Sequence, residues 1–256
     1  MHSRLGPVRL TTSRLVRLTP KILPGRQDLL CAATDPDVTS ELMTRRPLTI
    51  GFWRGRLPHW EVEDGRYFVT IHLAGAIPQQ GIERIQQLSA ELLQRESPNS
   101  SESQLPLMRT IFRQMEEWLD RAEHSTLLNA PAVAEMVIEA IQYRSQIHHW
   151  ELFEFVIMPN HIHLFLSVLQ GTLKDSLDEF KRWTGHQAAK LISLPNDRFW
   201  QDEWFDHWSR SDEQDERIVR YIEQNPVKAG LVQAAADWKY GSWPQRGILP
   251  GGQDLL

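Results

Sequence analysis

A single cysteine, Cys31, stands in 256 residues. That excludes an intramolecular disulfide and any zinc site built on thiolates, so a bound metal would need imidazole, carboxylate or amide ligands. Long apolar runs are also missing. No stretch approaches the roughly 18 consecutive apolar residues that span a bilayer, and residues 1–21 interleave arginine with short apolar pairs instead of building the core of a signal peptide. No membrane association is expected, and a reducing cytoplasm is. An excess of positive charge is absent too, the chain as a whole carrying −5. The charge is unevenly placed, however: residues 1–60 hold ten Arg or Lys against four acids, a net of +6. The body is therefore acidic and the leader basic. A solvated arm and a sequence-independent contact to phosphates both fit the leader.

What is present begins at Pro58, where PHWEVEDG runs into a stretch rich in aromatic and β-branched residues, Arg66 to Leu73, that reads as a strand. Residues 79–124 are polar and helix-prone. Ile82, Ile85, Leu88 and Leu92 fall at helical spacing, and after a Ser/Asn-rich break at 97–103 a second stripe runs through Met108, Phe112, Met115 and Leu119. These two helices form an insert. Pro131 opens another helix, with Val133, Met136, Val137 and Ile141 as its stripe. Leu152–Met158 and His161–Val168, separated by Pro159-Asn160, read as a hairpin, and Thr172–Ile192 reads as a helix with a basic polar side. The last helix opens on Ser211 with Gln214 as a capping box. Its end is expected at Asn225, because a residue before proline is disfavoured in helical conformation.

Two sets of residues carry chemistry. His161 and His163 are two apart on a strand, so both imidazoles face one side while Ile162, Leu164 and Leu166 face the other. Two imidazoles with an open coordination sphere suit a divalent cation; a pair of surface or core-edge histidines without a metal fits the bare pattern as well. Tyr221 and Asn225 lie four apart on the final helix, with Arg217 one turn earlier, so a cation, a phenol and an amide share a stripe. These residues alone fit a nucleophile beside a third metal ligand, and equally a half-buried tyrosine with Asn225 serving as a helix stop.

Three ordered motifs add to this reading: VIMPNHIHLFLSV, then FWQ at Phe199–Gln201, then RYIEQNPVKAGLV. Together they resemble the single-tyrosine HUH transposases, specifically the REP-associated tyrosine transposases. The resemblance runs from about Pro58 through Pro244. It implies an α+β fold, a ferredoxin-like HUH domain whose antiparallel sheet carries helices on one face, with the helical insert added. On that basis residues 1–57 are a basic, flexible leader, 58–245 the transposase domain and 246–256 a tail.

The resemblance further implies a metal-dependent endonuclease and strand transferase that acts on single-stranded or hairpin DNA. Tyr221 would be the nucleophile, giving a 5′-phosphotyrosine link. His161 and His163 would hold Mg²⁺ or Mn²⁺ with Asn225 as third ligand, and no small-molecule organic cofactor is implied. A monomer is expected in preference to a homodimer. DNA contacts are expected from Lys181, Arg182, Lys190, Arg198, Arg210, Arg217 and Lys228, and base stacking from Trp204 or Trp208, with Trp200 and Phe205 in the core. Two rival readings are a domesticated, non-cleaving regulator that binds structured DNA or RNA, and a phosphodiesterase that uses water in place of the tyrosine.

Overall fold

The computed structural model describes residues 48–55, 57–94, 101–121, 123–194 and 198–243. The chain divides into two units, 1–41 and 42–256, and every described residue belongs to the second. Most of the expected leader, and the tail at 246–256, lie outside the described residues.

Strands β1 (Thr49–Arg54) and β2 (Pro58–Val62) pair antiparallel as a small hairpin. β1 falls within the segment assigned to the flexible leader, so the folded body starts upstream of residue 58. It is held there by aromatic packing: Trp53 stacks on His59 with ring centroids 3.7 Å apart, and both lie about 5 Å from Trp204.

The main sheet follows. β3 (Arg66–His72) is followed by α1 (Gln79–Gln94), α2 (Ser101–Asp120) and α3 (Pro131–Gln146). Next come β4 (Trp150–Ile157) and β5 (His161–Val168), joined by the expected short turn, then α4 (Leu173–Leu191), β6 (Phe205–Trp208) and α5 (Asp212–Lys228). The sheet order is β4-β5-β3-β6, with every neighbouring pair antiparallel. Setting α1 and α2 aside, the chain runs strand, helix, strand, strand, helix, strand, with the first strand beside the third and the last at the edge. That is the ferredoxin-like arrangement, and the α+β expectation is met.

The period of 2 sorts the strands into two faces. Val69, Ile71, Ile162, Leu164 and Leu166 point to one and are fully buried. That face is covered by α3 and α4, with Phe180 of α4 packing on Trp150 at 5.4 Å. Phe68, Thr70, His72, His161, His163 and Phe165 point to the other, where α5 and α2 lie. Helices thus cover both faces, where one was expected, because the histidine-bearing face is itself buried.

Helix α5 also departs from expectation at its end. Ser211 does cap it, its hydroxyl accepting from the Gln214 amide at 3.2 Å. Pro226, however, lies inside the helix. A proline this close to the C-terminus removes only one N–H from the ladder, and the backbone amides of Ala229 and Leu231 still reach Asn225 and Pro226 oxygens at 2.9 Å. The chain turns off at Gly230, whose φ of +71° is the left-handed conformation that glycine adopts without strain. Asn225 is therefore a helical residue one full turn beyond Tyr221 and not a stop signal.

Candidate active site

The site is built where α2 and α5 cross the polar face of β5. His161 and His163 are completely buried, so they are not the surface pair that the bare pattern also fits. Each has its Nδ1 side occupied. The His161 Nδ1 lies 2.7 Å from Asn160 Oδ1, and the His163 Nδ1 lies 2.9 Å from Thr70 Oγ1. With Nδ1 donating in both bonds, each Nε2 is left as an acceptor, the state in which imidazole ligates a metal. The two Nε2 atoms lie 3.1 Å apart. Asn160 is held in turn by donating to the Leu119 carbonyl at 3.0 Å, which ties the end of α2 to the β4–β5 turn.

A third group completes the cluster, and sequence reasoning missed it. Glu116 of α2 is buried, with Oε2 3.5 Å from His163 Nε2. Its carboxylate and the two imidazoles have ligand atoms within 4.8 Å of one another, so this set can hold a divalent metal ion. Burial works against the charge on Glu116, yet the neighbouring His163 and His161 outweigh it and hold the carboxyl near 2. His161 is pushed well below its ordinary range, first by burial and then by His163. The signal for Glu116 was in the sequence: it lies four residues after Phe112, on the same helical face as the apolar stripe, and an acid placed there needs a partner.

Asn225 lies beside the cluster as expected, its amide Nδ2 3.2 Å from His163 Nε2. Two buried acceptors in the group have no hydrogen-bond partner among the described residues, Glu116 Oε1 and Asn225 Oδ1. Unmet acceptors beside two imidazole lone pairs are what a cation site requires, so the residues present fit a divalent metal.

Tyr221 stands at the edge of this cluster, half-buried, and its hydroxyl donates to Glu116 Oε2. Its ring is wedged edge-on against Phe68, Phe112 and His163 at 5.5–5.8 Å. Burial, followed by the Glu116 charge, raises the phenol far above its ordinary pKa, so in this state the hydroxyl keeps its proton.

The expected DNA-contacting residues divide into three groups. Arg210, Arg217 and Lys228 gather around Tyr221: the first two line the cavity in which it stands, and the Lys228 ammonium lies 5.7 Å from the Tyr221 ring and 2.7 Å from Asp120. Lys181, Arg182 and Arg198 instead line a separate hollow beside α4, where Arg198 pairs with Asp202 at 2.9 Å. Lys190 is exposed on the last turn of α4. Trp208 is half-buried under the Arg210 guanidinium, 3.7 Å from its ring centre. Trp204 is a correction: only 2% exposed, it is enclosed by Trp53, His59 and Lys181 and has no free face for a base. Trp200 and Phe205 are buried, as expected.

Residues 120–225 match the family described as transposase IS200-like. More particularly, the chain is similar to the REP-associated tyrosine transposase of Escherichia coli (strain K12), at 29% identity over 107 residues, 40% of this chain and 61% of that protein. A Haemophilus influenzae protein of the same group is 25% identical over 113 residues, 40% of this chain and 64% of its own length. The match thus spans under two thirds of either relative. A solved structure of a REP-associated tyrosine transposase bound to a REP hairpin aligns with a TM-score of 0.47 at 19% identity, covering 81% of this chain and 94% of that one. The resemblance carried by the three motifs is borne out.

Proposed function

We propose that this chain nicks and rejoins single-stranded DNA through a covalent link to Tyr221, at hairpin-forming palindromic repeats, with Mg²⁺ or Mn²⁺ as cofactor. The observation that carries the reading is the bond from the Tyr221 hydroxyl to Glu116, a carboxylate that also belongs to the cluster with His161 and His163. The phenolic oxygen attacks the scissile phosphorus, the bond from phosphorus to the 3′ oxygen breaks, and a 5′-phosphotyrosine and a free 3′-hydroxyl result. Glu116 holds the phenolic proton at the atom from which it must leave. Because the ester keeps the phosphoryl group activated, an incoming 3′-hydroxyl reverses the step and joins strands.

His161, His163 and Glu116 would hold the cation, with the Asn225 amide oxygen as a further ligand. When bound, it would polarise a non-bridging phosphate oxygen and offset the charge that develops during attack. Oxygen and imidazole donors without thiolate favour Mg²⁺ or Mn²⁺ over structural zinc. Nucleophile and ligands come from one chain, which supports action as a monomer.

The test is incubation of the full chain with labelled single-stranded hairpin DNA and Mn²⁺. A protein–DNA adduct that survives denaturation is expected, and Tyr221→Phe should abolish it. An adduct formed by Tyr221→Phe would remove Tyr221 as nucleophile. Strand cleavage without an adduct would point to water as the nucleophile, and binding without cleavage to a regulator.

A further inference from the structure

Tyr221 forms part of the wall of a cavity of about 480 Å³ enclosed by α2, α5 and the β3–β6 edge of the sheet. The size is within the roughly 300–1,000 Å³ that seats small organic groups. Its floor is aromatic. Phe112 is half-buried and lies 4.9 Å from Phe205 and 5.4 Å from Phe68, centroid to centroid, so its ring is the accessible part of an aromatic cluster next to the nucleophile, while Phe68 and Phe205 are buried. Its rim is cationic, carrying Arg109, Arg210 and Arg217, and among the described residues no carboxylate lines it, although the whole chain is net −5. Arg109 and Arg217 are exposed and make no ion pair among the described residues.

The polar wall is made of groups that can read a base edge without adding charge. Gln214 donates to His207 Nε2 at 2.5 Å and accepts from the Arg210 amide at 3.0 Å, which fixes its orientation. With Nε2 accepting, the His207 imidazole is neutral; burial, Arg210 and Arg109 together push it down to about 4.

Aromatic faces stack unpaired bases of any identity, and guanidinium groups bind phosphate oxygens. A base inside a duplex stays stacked on its neighbours and cannot enter such a cavity, whereas an unpaired one can. Tyr221 lies in the wall, so a nucleotide seated here adjoins the phosphate that the phenol faces. Resting on the reading of Tyr221 as nucleophile, we propose that this cavity seats one unpaired nucleotide of single-stranded DNA next to the scissile phosphate. Its base lies against Phe112, and its phosphate lies toward Arg109 and Arg217.

The experiment uses the full chain and a fluorescent single-stranded hairpin oligonucleotide, with a series in which one nucleotide at a time is made abasic. Binding is read by anisotropy and adduct formation is measured on the same oligonucleotides, so seating is detected whether or not the strand is cut. One position should weaken binding about 5- to 100-fold when abasic, and it should adjoin the nick. Phe112→Ala should weaken binding of the parent oligonucleotide by a similar factor and remove the sensitivity at that position, because both changes delete one contact. Arg109→Gln, an exposed change that does not disturb packing, should leave the base sensitivity in place and lower the salt dependence by about one phosphate contact. Equal binding at every abasic position would overturn the proposal. So would a sensitive position that Phe112→Ala leaves unchanged, or a salt slope that Arg109→Gln does not move. Failure of the nucleophile reading has a different signature, the absence of any adduct while the positional sensitivity persists.

Discussion

The two faces of the main sheet are made by the same strands, yet they are built on opposite principles. On the side covered by α3 and α4, Val69, Ile71, Ile162, Leu164, Leu166 and Phe180 are fully buried and offer nothing but packing. On the side covered by α2 and α5, Thr70, His161, His163 and Asn225 are equally buried and polar, with Glu116 nearly so. There the polar atoms are arranged in a chain from Leu119 through Asn160 to His161, and from Thr70 through His163 to Asn225. Burying polar groups is tolerable only when each is paired, and an unmet one costs about 1–3 kcal/mol. Glu116 Oε1 and Asn225 Oδ1 remain unmet among the described residues. One face thus stabilises the domain, while the other gives up stability to keep ligand atoms free.

The largest effect that distinguishes the faces is expected at Phe180→Ala. It opens a cavity in the apolar layer and should cost ~3–5 kcal/mol of unfolding free energy in urea titration, while the folded variant still forms the adduct at saturating DNA. A cost below about 1 kcal/mol would break the comparison, since it would deny the apolar face its stabilising role. On the polar face the sharper change is Thr70→Val, which keeps the volume and removes the partner of His163 Nδ1. It should weaken Mn²⁺ binding, measured by calorimetry, ~10–100-fold and cost ~1–3 kcal/mol of stability. Thr70→Ser, which restores the hydroxyl, should recover both. If Thr70→Val binds Mn²⁺ as tightly as the parent chain, that hydroxyl does not orient the ligand.

Which parts of this arrangement could be read in advance follows from how local their causes are. The β4–β5 hairpin, α3 and the capped start of α5 rest on alternation, helical spacing and turn chemistry within a few residues, and all were legible. β6 was not, because four residues, Phe205–Trp208, are too few to display a period and the strand exists only through pairing with β3. β1 was hidden in the same way by its position beside a basic, proline-containing segment. Within the site, the pairing of His161 with His163 and of Tyr221 with Asn225 followed from strand and helix geometry. Glu116 did not, since it comes from a helix that looked like an added arm, and only the tertiary fold brings α2 over the strand. The same burial changes what is expected of His163→Ala. On an exposed strand face it would be structurally silent, but in a fully buried position it removes a packed ring, strands Thr70 and takes away a candidate metal ligand.

The smallest expected effect is the pH dependence of stability, and it too arises on the polar face. Half-buried there, His207 is pushed down to about 4 by desolvation, Arg210 and Arg109, against 6.5 in the unfolded chain. As pH falls below 6.5 the unfolded state takes up a proton that the folded state refuses, so stability is complete above 6.5 and is lost as pH falls toward 4. Between pH 7 and 5.5 this amounts to about 1 kcal/mol for one such histidine. His72, also pushed down to about 4 by burial, adds to the same window. Glu116 opens a second, lower one: with its carboxyl held near 2 against 4.5 unfolded, its contribution is present above 4.5 and is lost as pH falls toward 2. Urea midpoints measured at pH 7, 5.5 and 4.5 should therefore fall steadily, and His207→Asn, having nothing to titrate at that position, should fall less over the first interval. A parent and variant with the same slope between pH 7 and 5.5 would mean that His207 is protonated as readily in the folded chain as in the unfolded one, and that its burial beside two arginines does not hold it neutral.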